Sequence, residues 1–415
     1  MIFLYRILVL IVLIIGSPFL LIKVLVGKHG LKERFGFIDF ENDDSKLFWF
    51  HAASVGELKV LSSIIPEIRK QDPDVKFAIS TTTMTGRNRA NELFGDIADI
   101  FLIPLEIKSC INRVLTKLKP DKFITIETEI WPLLCKVAHS QGVKLNIING
   151  RMTARTFPLY KIFKPLFKSV LKQFENIMVQ TEIYGSRYRR LGAKNIKVVG
   201  NIKYDQIFSN IVLDDNGFEL EKKDSILCTM GSVRRGEYQV MIDVIKEAQD
   251  KSLPIKFVLV PRHLKDIKPL SMLIEKNGIK FKLRSEIDKL DFDGYDLLVV
   301  NTMGELLKFY NISEIAFVGG SLVHIGGHDP VEPASLGKAV MFGPHMENSQ
   351  EAAKSLLRDG GAREVNNKQD IIQLLNEIIN EPEIAKEMGE KAKSIILSLS
   401  GATTRTIDLL MGEKS

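Results

Sequence analysis

The sequence predicts an α/β protein with two domains, each built on a parallel sheet that has helices on both faces. Strand-like and helix-like segments alternate from residue 47 to residue 199, and a second alternation begins at residue 225. Parallel strands are joined by helical crossovers, so this alternation is typical of the class. The length of 415 residues is too great for one ordinary core and suits two domains of about 200 residues each.

The predicted strands are short apolar runs bounded by polar or turn residues. In the first half they are Leu47–His51, Val75–Ser80, Ile100–Ile103, Lys122–Ile126, Lys144–Ile148, Ile177–Val179 and Ile196–Val199. In the second half they are Ser225–Met230, Ile255–Val260, Leu297–Val300, Ile315–Val318 and Ala339–Phe342. Helical patterns lie between them, for example over Trp131–Ser140 and Ile183–Leu191, and the chain after Lys368 is helical.

Residues 1–27 are predicted to form a membrane anchor, residues 28–212 the first domain and residues 213–415 the second, with its last helices free to pack on the first. The segment Ile2–Val26 is nearly all apolar and long enough to span a bilayer, although Pro18 also allows an anchor that enters one leaflet. A buried core helix is the alternative. Basic residues at and beyond the end of this segment place the following domains in the cytoplasm. They are Lys23, Lys28, Lys32 and Arg34.

The amino-acid composition indicates which partners and which cellular compartment suit the chain. The formal net charge of +6 suits anionic partners such as phosphates or a membrane surface, and without a matching motif it does not predict nucleic-acid binding. The three cysteines lie far apart without a CxxC pair, which indicates a reducing compartment and no structural zinc. The histidines lack metal-ligand spacing, so we expect neither a metal nor a cofactor.

The stretch His51–Glu57 (HAASVGE) joins the first predicted strand to a helical pattern, and so lies at the carboxyl edge of the sheet. Open α/β sheets bind ligands at that edge. Small residues there, Ser54 and Gly56 among them, allow an acceptor molecule to approach the backbone. A carboxylate such as Glu57 above a helix N-terminus can act as a base or bind a hydroxyl group. The alternative is a first-turn glutamate that only favours the helix dipole.

Two acids follow the fourth predicted strand in the sequence ETEIWP. Either Glu127 or Glu129 is a second carboxylate that faces Glu57, or they assist the start of a helix. Thr82 belongs to a run of threonines after the second strand, which either caps a helix or hydrogen-bonds a sugar.

Arg151 and Arg155 open a segment, up to Lys172, in which basic residues alternate with bulky apolar ones. Such a segment suits a membrane surface or an anionic lipid, and the alternative is a helix with lysines on its solvated face.

Loops at the strand ends of the second half are candidates for holding a nucleotide. The segment Gly231–Glu237 follows a strand and opens a helix, which offers free N–H groups to a phosphate. Gly319-Gly320-Ser321 and then residues 326–334 (GGHDPVEPA) lead into another helix, with Glu332 in its first turn. We expect this loop to hold a ribose by its hydroxyl groups and a phosphate by its amides.

Taken in order, these motifs resemble those of the bacterial 3-deoxy-D-manno-octulosonic acid (Kdo) transferases of lipopolysaccharide assembly. The matching segments, which follow the anchor, are HAASVGE, ETEIWP, NGRM, GNIKYD, PRH, MGE and GGHDPVEPA. The resemblance implies a GT-B fold, with two Rossmann-like domains facing a cleft, the acceptor in the first and the nucleotide sugar in the second. It also implies inverting transfer of Kdo from CMP-Kdo to the tetraacylated lipid A precursor at the inner (cytoplasmic) membrane.

The resemblance implies roles for individual residues. Glu57 is the expected general base, Glu127 or Glu129 the second acid, and Lys203 in GNIKYD a group that stabilises charge in the transition state. The expected CMP-binding residues are Pro261, Arg262, Met303, Gly304, Glu305, Asp329, Pro330, Val331 and Glu332. The expected acceptor-binding residues are Ser54, Gly56, Thr82, Arg151 and Arg155.

One departure from the family pattern is visible. The family reads Asn-Pro-Leu-Glu where residues 329–332 read DPVE, and an ionised aspartate accepts hydrogen bonds without donating them. Two rival functions stay open: a membrane-associated GT-B enzyme that uses a UDP-sugar, and a non-catalytic binding module tethered to the membrane.

Overall fold

The computed structural model describes Tyr5 and residues 30–40, 42–210, 225–287 and 290–412. The chain divides into two compact units, one of Met1–Gln206 with Ser400–Ser415 and one of Ile207–Leu399. The predicted boundary at residue 212 and the predicted anchor, Tyr5 excepted, lie outside the described residues. Among the helices that are described, none is both long enough and apolar enough to cross a membrane.

The first unit alternates strands and helices, as predicted. Its strands are β1 (Leu47–Ala52), β2 (Lys76–Thr81), β3 (Asp99–Leu102), β4 (Lys122–Ile126), β5 (Lys144–Gly150), β6 (Phe174–Val179) and β7 (Ile196–Val198). Its helices up to residue 210 are α1 (Leu31–Arg34), α2 (Val55–Gln71), α3 (Met84–Phe94), α4 (Lys108–Leu118), α5 (Pro132–Ser140), α6 (Phe157–Ile162), α7 (Lys164–Leu171), α8 (Glu182–Leu191) and α9 (Ile202–Asn210). The described strands form one parallel seven-stranded sheet, in the order β3-β2-β1-β4-β5-β6-β7.

The burial of strand β1 explains why its sequence, His51 apart, is apolar rather than alternating. All six of its residues are buried, because helices cover both faces of the sheet. Trp49 packs in one apolar cluster with Phe123, whereas Phe48 and Phe50 pack in the cluster on the opposite face. The strand is therefore fixed from both sides, and the residues that follow it start from a rigid position.

The second unit repeats the plan. Its strands are β8 (Ile226–Val233), β9 (Ile255–Pro261), β10 (Phe281–Leu283), β11 (Leu297–Val299), β12 (Ile315–Val318), β13 (Ala339–Phe342) and β14 (Ala362–Glu364). Its helices are α10 (Tyr238–Asp250), α11 (Ile267–Lys276), α12 (Leu306–Ile312), α13 (Val331–Ser335), α14 (Gln350–Arg358), α15 (Lys368–Asn380) and α16 (Glu383–Leu399). Short 3₁₀ turns cover Arg235–Glu237, Leu264–Asp266, Arg284–Glu286 and Glu347–Ser349. In the described part of this unit the sheet has seven parallel strands, in the order β10-β11-β9-β8-β12-β13-β14.

The last helix, α17 (Ala402–Met411), belongs to the first unit. Its Ala402 and Leu410 side chains are buried in the same apolar cluster as Phe50. The Asp205 carboxylate accepts hydrogen bonds from the backbone N–H groups of Gly401 and Thr403, both at 2.6 Å. The aspartate of the GNIKYD segment therefore caps this helix and attaches it to the unit.

Candidate active site

The strand order of the first sheet marks a ligand site. The chain runs outward from β1 to β2 and β3 and then returns to β4 on the other side of β1, so the order reverses between β1 and β4. Ligands bind beyond the carboxyl ends of strands at such a point. HAASVGE begins with the last two residues of β1, and ETEIWP follows β4, so the fold brings these two motifs to the predicted place.

Glu57 lies in the first turn of α2, after the N-cap residue Ser54. The Ser54 hydroxyl accepts a hydrogen bond from the Glu57 N–H group at 3.3 Å and donates one to Glu57 Oε1 at 2.8 Å. The Ala53 N–H group donates to Glu57 Oε2 at 2.8 Å. Only 8% of Glu57 is exposed. Glu57 therefore lies in the first turn of a helix, as the sequence indicates, and its carboxylate is buried.

Burial raises the pKa of Glu57 to about 7, against the opposing effect of the hydrogen bonds from Ala53 and Ser54. The negative charges of Glu129 and Glu127 raise it further. A carboxylate whose pKa lies near neutral pH is a much stronger base than an ordinary surface glutamate and is still available in its charged form. The surroundings of Glu57 therefore suit proton abstraction.

The two acids of ETEIWP differ in their settings. Glu127 has a left-handed backbone, with φ of 58°, and its carbonyl oxygen accepts a hydrogen bond from the Tyr188 hydroxyl at 3.0 Å. A non-glycine residue in this conformation is held by its surroundings, and such residues are common at functional sites. The Glu129 side chain is one-third exposed, and its Oε2 lies 3.9 Å from His51 Nε2. Both carboxylates act on the pKa of Glu57, and Glu129 is the one that approaches His51.

His51 is a fully buried histidine of this site. Its Nδ1 lies 3.0 Å from the Ser80 carbonyl oxygen, which can only accept, so Nδ1 carries the proton. The other nitrogen, Nε2, is buried and has no hydrogen-bond partner among the described residues. It therefore points its lone pair or its proton into the site, on the side of Glu129.

A different carboxylate serves the start of α5. The buried Glu106 accepts hydrogen bonds from the N–H groups of Leu133 at 3.0 Å and Leu134 at 2.7 Å. It also accepts one from the Tyr5 hydroxyl at 2.7 Å. The expectation that Glu127 or Glu129 assists the helix start is wrong in this respect, because Glu106 already occupies that position.

The threonines that follow β2 have different roles. Thr83 is the N-cap of α3, and its side chain accepts a hydrogen bond from the Gly86 N–H group, so the capping interpretation is confirmed for this residue. The Thr82 hydroxyl donates to the Ala53 carbonyl oxygen at 2.9 Å. Thr82 thereby ties the end of β2 to the turn that carries Glu57.

The basic residues expected near this site differ in their exposure. Arg151 is partly buried, while Arg155 and Lys203 are exposed, and none of the three pairs with a carboxylate in the described part of the chain. Lys203 lies in the first turn of α9, whose start is held by Asn149 and Asn201 through hydrogen bonds to the N–H groups of residues 202 and 203.

In the second unit the strand order reverses between β8 and β12. Here the structure corrects a prediction: Gly231–Val233 do not form a loop but the end of β8, where Val233 pairs with Pro261. The ladder shifts between Met230 and Val233, and Ser232 is left-handed, with φ of 54°. The turn into the following helix therefore starts at Arg234.

A second correction concerns the glycine loop after β12. The carboxylate of the fully buried Glu237 accepts hydrogen bonds from the N–H groups of Gly320 at 2.7 Å, Ser321 at 2.9 Å and Leu322 at 3.0 Å. It also accepts one from the Arg234 N–H group at 2.9 Å. The amides of residues 320–322 are therefore already bound to an anion within the chain and are not free for a phosphate.

The expected CMP-binding residues lie on loops of this second sheet. Pro261 ends β9 and Arg262 is exposed directly after it. Burial, with the charge of Asp329 added, raises the pKa of Glu332 to about 7, and the charge of Arg262 opposes the rise. Asp329 Oδ1 accepts a hydrogen bond from the Val331 N–H group at 3.1 Å, with Pro330 between them. Asp329 can therefore shape the turn as a pure acceptor.

The remaining expected residues, Met303, Gly304 and Glu305, precede α12. The Met303 side chain is 79% exposed, and Gly304 has φ of 83°, a conformation that favours glycine. The Glu305 carboxylate pairs with Arg284 at 3.2 Å and accepts a hydrogen bond from the Thr302 hydroxyl. Glu305 thus anchors this loop to its neighbours.

Sequence reasoning missed a group that the fold assembles from three loops. Arg234, His263 and His328 follow β8, β9 and β12 respectively, and the Arg234 side chain donates a hydrogen bond to each histidine. No motif links these positions along the chain. The strand order supplies the signal, because residues after β8 and β12 meet where the order reverses.

Comparison with known proteins identifies the family. The chain is 30% identical to the 3-deoxy-D-manno-octulosonic acid transferase of Haemophilus influenzae over 389 residues, which cover 92% of this chain and 91% of the relative. The chain belongs to the Kdo transferase family. A family model described as 3-deoxy-D-manno-octulosonic-acid transferase (kdotransferase) also matches residues 29–206. The chain is therefore a glycosyltransferase, and the sequence-based identification of the family is confirmed.

Solved structures with a similar fold are found for this Kdo transferase. The UDP-GlcNAc 2-epimerase of Neisseria meningitidis matches with a TM-score of 0.58 at 15% identity, over 88% of this chain and all of the other. MurG of Acinetobacter baumannii matches with a TM-score of 0.54 at 14% identity, over 88% of this chain and 99% of the other. At such low identity these likenesses show the fold alone, which is GT-B-like with two parallel sheets.

Proposed function

We propose that this Kdo transferase moves Kdo from CMP-Kdo to a hydroxyl group of the tetraacylated lipid A precursor with inversion, and that Glu57 is the general base. The observation that carries the proposal is the buried Glu57 carboxylate, beyond the carboxyl end of β1, with its pKa raised to about 7. The family gives the transferred sugar, and the position and basicity of Glu57 support the proposed mechanism.

In the proposed step, the Glu57 carboxylate takes the proton of the acceptor hydroxyl as its oxygen attacks the anomeric carbon of Kdo. The bond between that carbon and the phosphate oxygen breaks, and CMP leaves with the electron pair. Glu127 and Glu129 favour proton uptake by Glu57, because their negative charges raise its pKa. Lys203 and Arg262, which have no carboxylate partner among the described residues, are suited to stabilise the negative charge that develops on the phosphate.

The acceptor is proposed to contact Ser54, Gly56, Thr82, Arg151 and Arg155. The hydroxyl protons of Ser54 and Thr82 are already donated within the turn, so these two side chains can only accept hydrogen bonds from a substrate. Arg151 and Arg155 keep their donors, which suits an anionic lipid.

Contact with a membrane surface is proposed for the basic-apolar surface, which consists of Leu159, Lys161, Ile162, Phe163 and Lys164 on α6 and α7. Ile162 is 72% exposed and Leu159 is 59% exposed, and the two lysines are exposed beside them. Large apolar side chains grouped with lysines in this way suit the interface of an anionic bilayer. Together with the predicted anchor in residues 1–27, this surface supports a location at the cytoplasmic face of the inner membrane.

The proposal is tested with the purified full-length enzyme and tetraacylated lipid A precursor in mixed micelles. CMP-Kdo and a panel of UDP-sugars are supplied separately, and the product is weighed by mass spectrometry. We expect one or more Kdo additions from CMP-Kdo and none from the UDP-sugars. If the enzyme transfers sugar from a UDP-sugar and not from CMP-Kdo, the proposed donor is wrong. If folded enzyme gives no product from any donor, the proposed acceptor is wrong.

A further inference from the structure

Arg234 lies where the strand order of the second sheet reverses. It is the first residue after β8, and His328 lies in the loop after the neighbouring strand β12. Arg262 and His263 follow β9, on the other side of β8. The rule that places ligands beyond the carboxyl ends of strands at a reversal therefore points to these four side chains.

The contacts of Arg234 fix its side chain in an unusual way. Its Nε donates to His328 Nε2 at 3.2 Å, and its Nη1 lies 2.8 Å from His263 Nε2. A guanidinium group has donors only, so both histidines must accept with Nε2 and carry their proton on Nδ1. Burial, helped by the charges of Arg234 and Arg262, lowers the pKa of His328 to about 4, which keeps that ring neutral at neutral pH.

These two hydrogen bonds use two of the five N–H groups of the guanidinium. Because histidine nitrogens accept them, the positive charge of Arg234 is not balanced by these bonds. No carboxylate lies within 4.0 Å of Arg234 in the described part of the chain. The charge of Arg262 is close enough to act on the same His328 ring, so two cations lie near this ring, and of the two it is Arg262 whose charge also acts on the Glu332 carboxyl. Like charges held together in this way are unfavourable unless an anion joins them.

The neighbouring Arg235 shows the contrast. Its guanidinium pairs with the buried Asp266 carboxylate, with Nη2 to Oδ1 at 2.6 Å, so its charge is already balanced. The glycine-loop amides offer no alternative anion site either, because Glu237 occupies the N–H groups of residues 320–322. Glu237 also holds the Arg234 backbone N–H group, which fixes the point from which the side chain extends.

We infer that Arg234 binds the phosphate group of the nucleotide donor, and that His263 and His328 position its guanidinium for that contact. The inference rests on the proposed function for the identity of the donor. A phosphate group can accept hydrogen bonds from the N–H groups that the guanidinium retains, and this contact strengthens as negative charge develops on the departing phosphate. CMP, which has the phosphate but lacks Kdo, separates this contact from one with the Kdo carboxylate.

The test compares the dissociation constant of CMP, measured by titration calorimetry, for wild type, Arg234→Ala, Arg234→Lys and the matched control Arg235→Ala. We expect Arg234→Ala to weaken CMP binding about 10- to 100-fold, the range for a lost hydrogen bond to a charged group, and Arg234→Lys to recover part of the loss. Arg235→Ala stays within about threefold of wild type, since its side chain is engaged by Asp266. Inhibition of transfer by cytidine, which has no phosphate, stays the same in all four proteins.

Each other result overturns the inference. Unchanged CMP binding by Arg234→Ala shows that the phosphate is held elsewhere, and an equal loss in both alanine variants shows only a general effect of positive charge. A loss of cytidine inhibition equal to that of CMP assigns Arg234 to the nucleoside, and a loss confined to CMP-Kdo assigns it to the Kdo carboxylate. If wild type binds no CMP at all, the proposed donor fails instead, so the two failures are distinguishable.

Discussion

At the scale of single residues, Glu57 combines two roles that are usually separate. Its carboxylate takes part in the start of α2 through Ser54 and Ala53, as many first-turn glutamates do. Hydrogen bonds of this kind stabilise the charged form, but burial and the two nearby acids outweigh them. The result is a carboxylate that is held rigidly and still binds a proton near neutral pH, which is what a general base requires.

The pH dependence of the rate follows from this pKa. We expect kcat/KM for the acceptor to fall about tenfold per pH unit below about pH 7, because protonated Glu57 cannot accept the proton of the hydroxyl group. Rates measured from pH 5 to pH 9 at saturating CMP-Kdo provide the check. An acid limb centred near pH 4.5, the ordinary value for glutamate, would assign Glu57 no raised pKa in the free enzyme.

The same pKa predicts a change in stability. Because the folded-state pKa of Glu57 is raised to about 7, the neutral form is favoured; its contribution is complete below about pH 4.5 and is lost as the pH rises through 7. Glu57→Gln does not titrate, so its unfolding free energy relative to wild type should rise by about 3 kcal/mol from pH 4.5 to pH 8.

Urea unfolding of both proteins at several pH values measures this difference. Glu67→Gln, on the exposed face of the same helix, is the control and should show no such slope. A flat difference for Glu57→Gln as well would mean that Glu57 is charged in the folded protein at all these pH values.

At the scale of elements, sequence patterns predicted the central strands because these are apolar on both faces, as β1 is. Two strands, β10 and β14, were missed. Each has three residues at an edge of the second sheet, β10 without a buried residue and β14 with the exposed charges of Arg363 and Glu364. Edge pairing of so few residues leaves almost no apolar pattern to recognise.

The sequence predicts the parts of the candidate sites that lie within one local motif, and it does not predict contacts between distant loops. Glu57 and Glu332 are each found in the first turn of a helix after a small-residue segment, as their sequences indicate. The contact of Arg234 with His263 and His328 depends on three loops that are far apart along the chain. Likewise, Glu237 binds a loop 83 residues away, and no local pattern shows that it takes the place of an external anion.

The cap of the last helix gives a test at this scale. Asp205→Ala removes the carboxylate that accepts from the N–H groups of Gly401 and Thr403, and we expect the unit to lose about 1–2 kcal/mol of stability. Denaturant unfolding, followed by the fluorescence of Trp49 and Trp131 in the same unit, reports the loss. Asp74→Ala is the matched control, an exposed aspartate of the same unit without a side-chain partner among the described residues. Equal stability of the two variants would show that the cap contributes nothing.

At the scale of the whole molecule, two units of the same plan carry different chemistry. The first has acids at its strand reversal, where the charges of Glu127 and Glu129 act on Glu57, whereas the second has the cations Arg234 and Arg262 at the equivalent point. This difference fits the proposal that the first unit supplies a base for the acceptor hydroxyl and the second a site for the anionic donor. The fold alone does not decide the reaction, because solved structures of similar fold include an epimerase.

Membrane contact belongs to this scale as well. Ile162→Glu places a charge in the basic-apolar surface, and we expect the apparent KM for lipid acceptor in anionic vesicles to rise about tenfold while the KM for CMP-Kdo is unchanged. Met272→Glu, at a similarly exposed apolar residue of the second unit, is the control. A similar rise in both variants, or in neither, would exclude a specific role of this surface.

The most direct test of the account is the rate of Kdo transfer from CMP-Kdo to the tetraacylated lipid A precursor by Glu57→Gln, compared with wild type and with Glu67→Gln at pH 8. We expect a loss of about a hundredfold or more for Glu57→Gln, with CMP binding retained, and a near-normal rate for Glu67→Gln. A Glu57→Gln enzyme that transfers Kdo at the wild-type rate would contradict it, and the base would have to be sought elsewhere in the site.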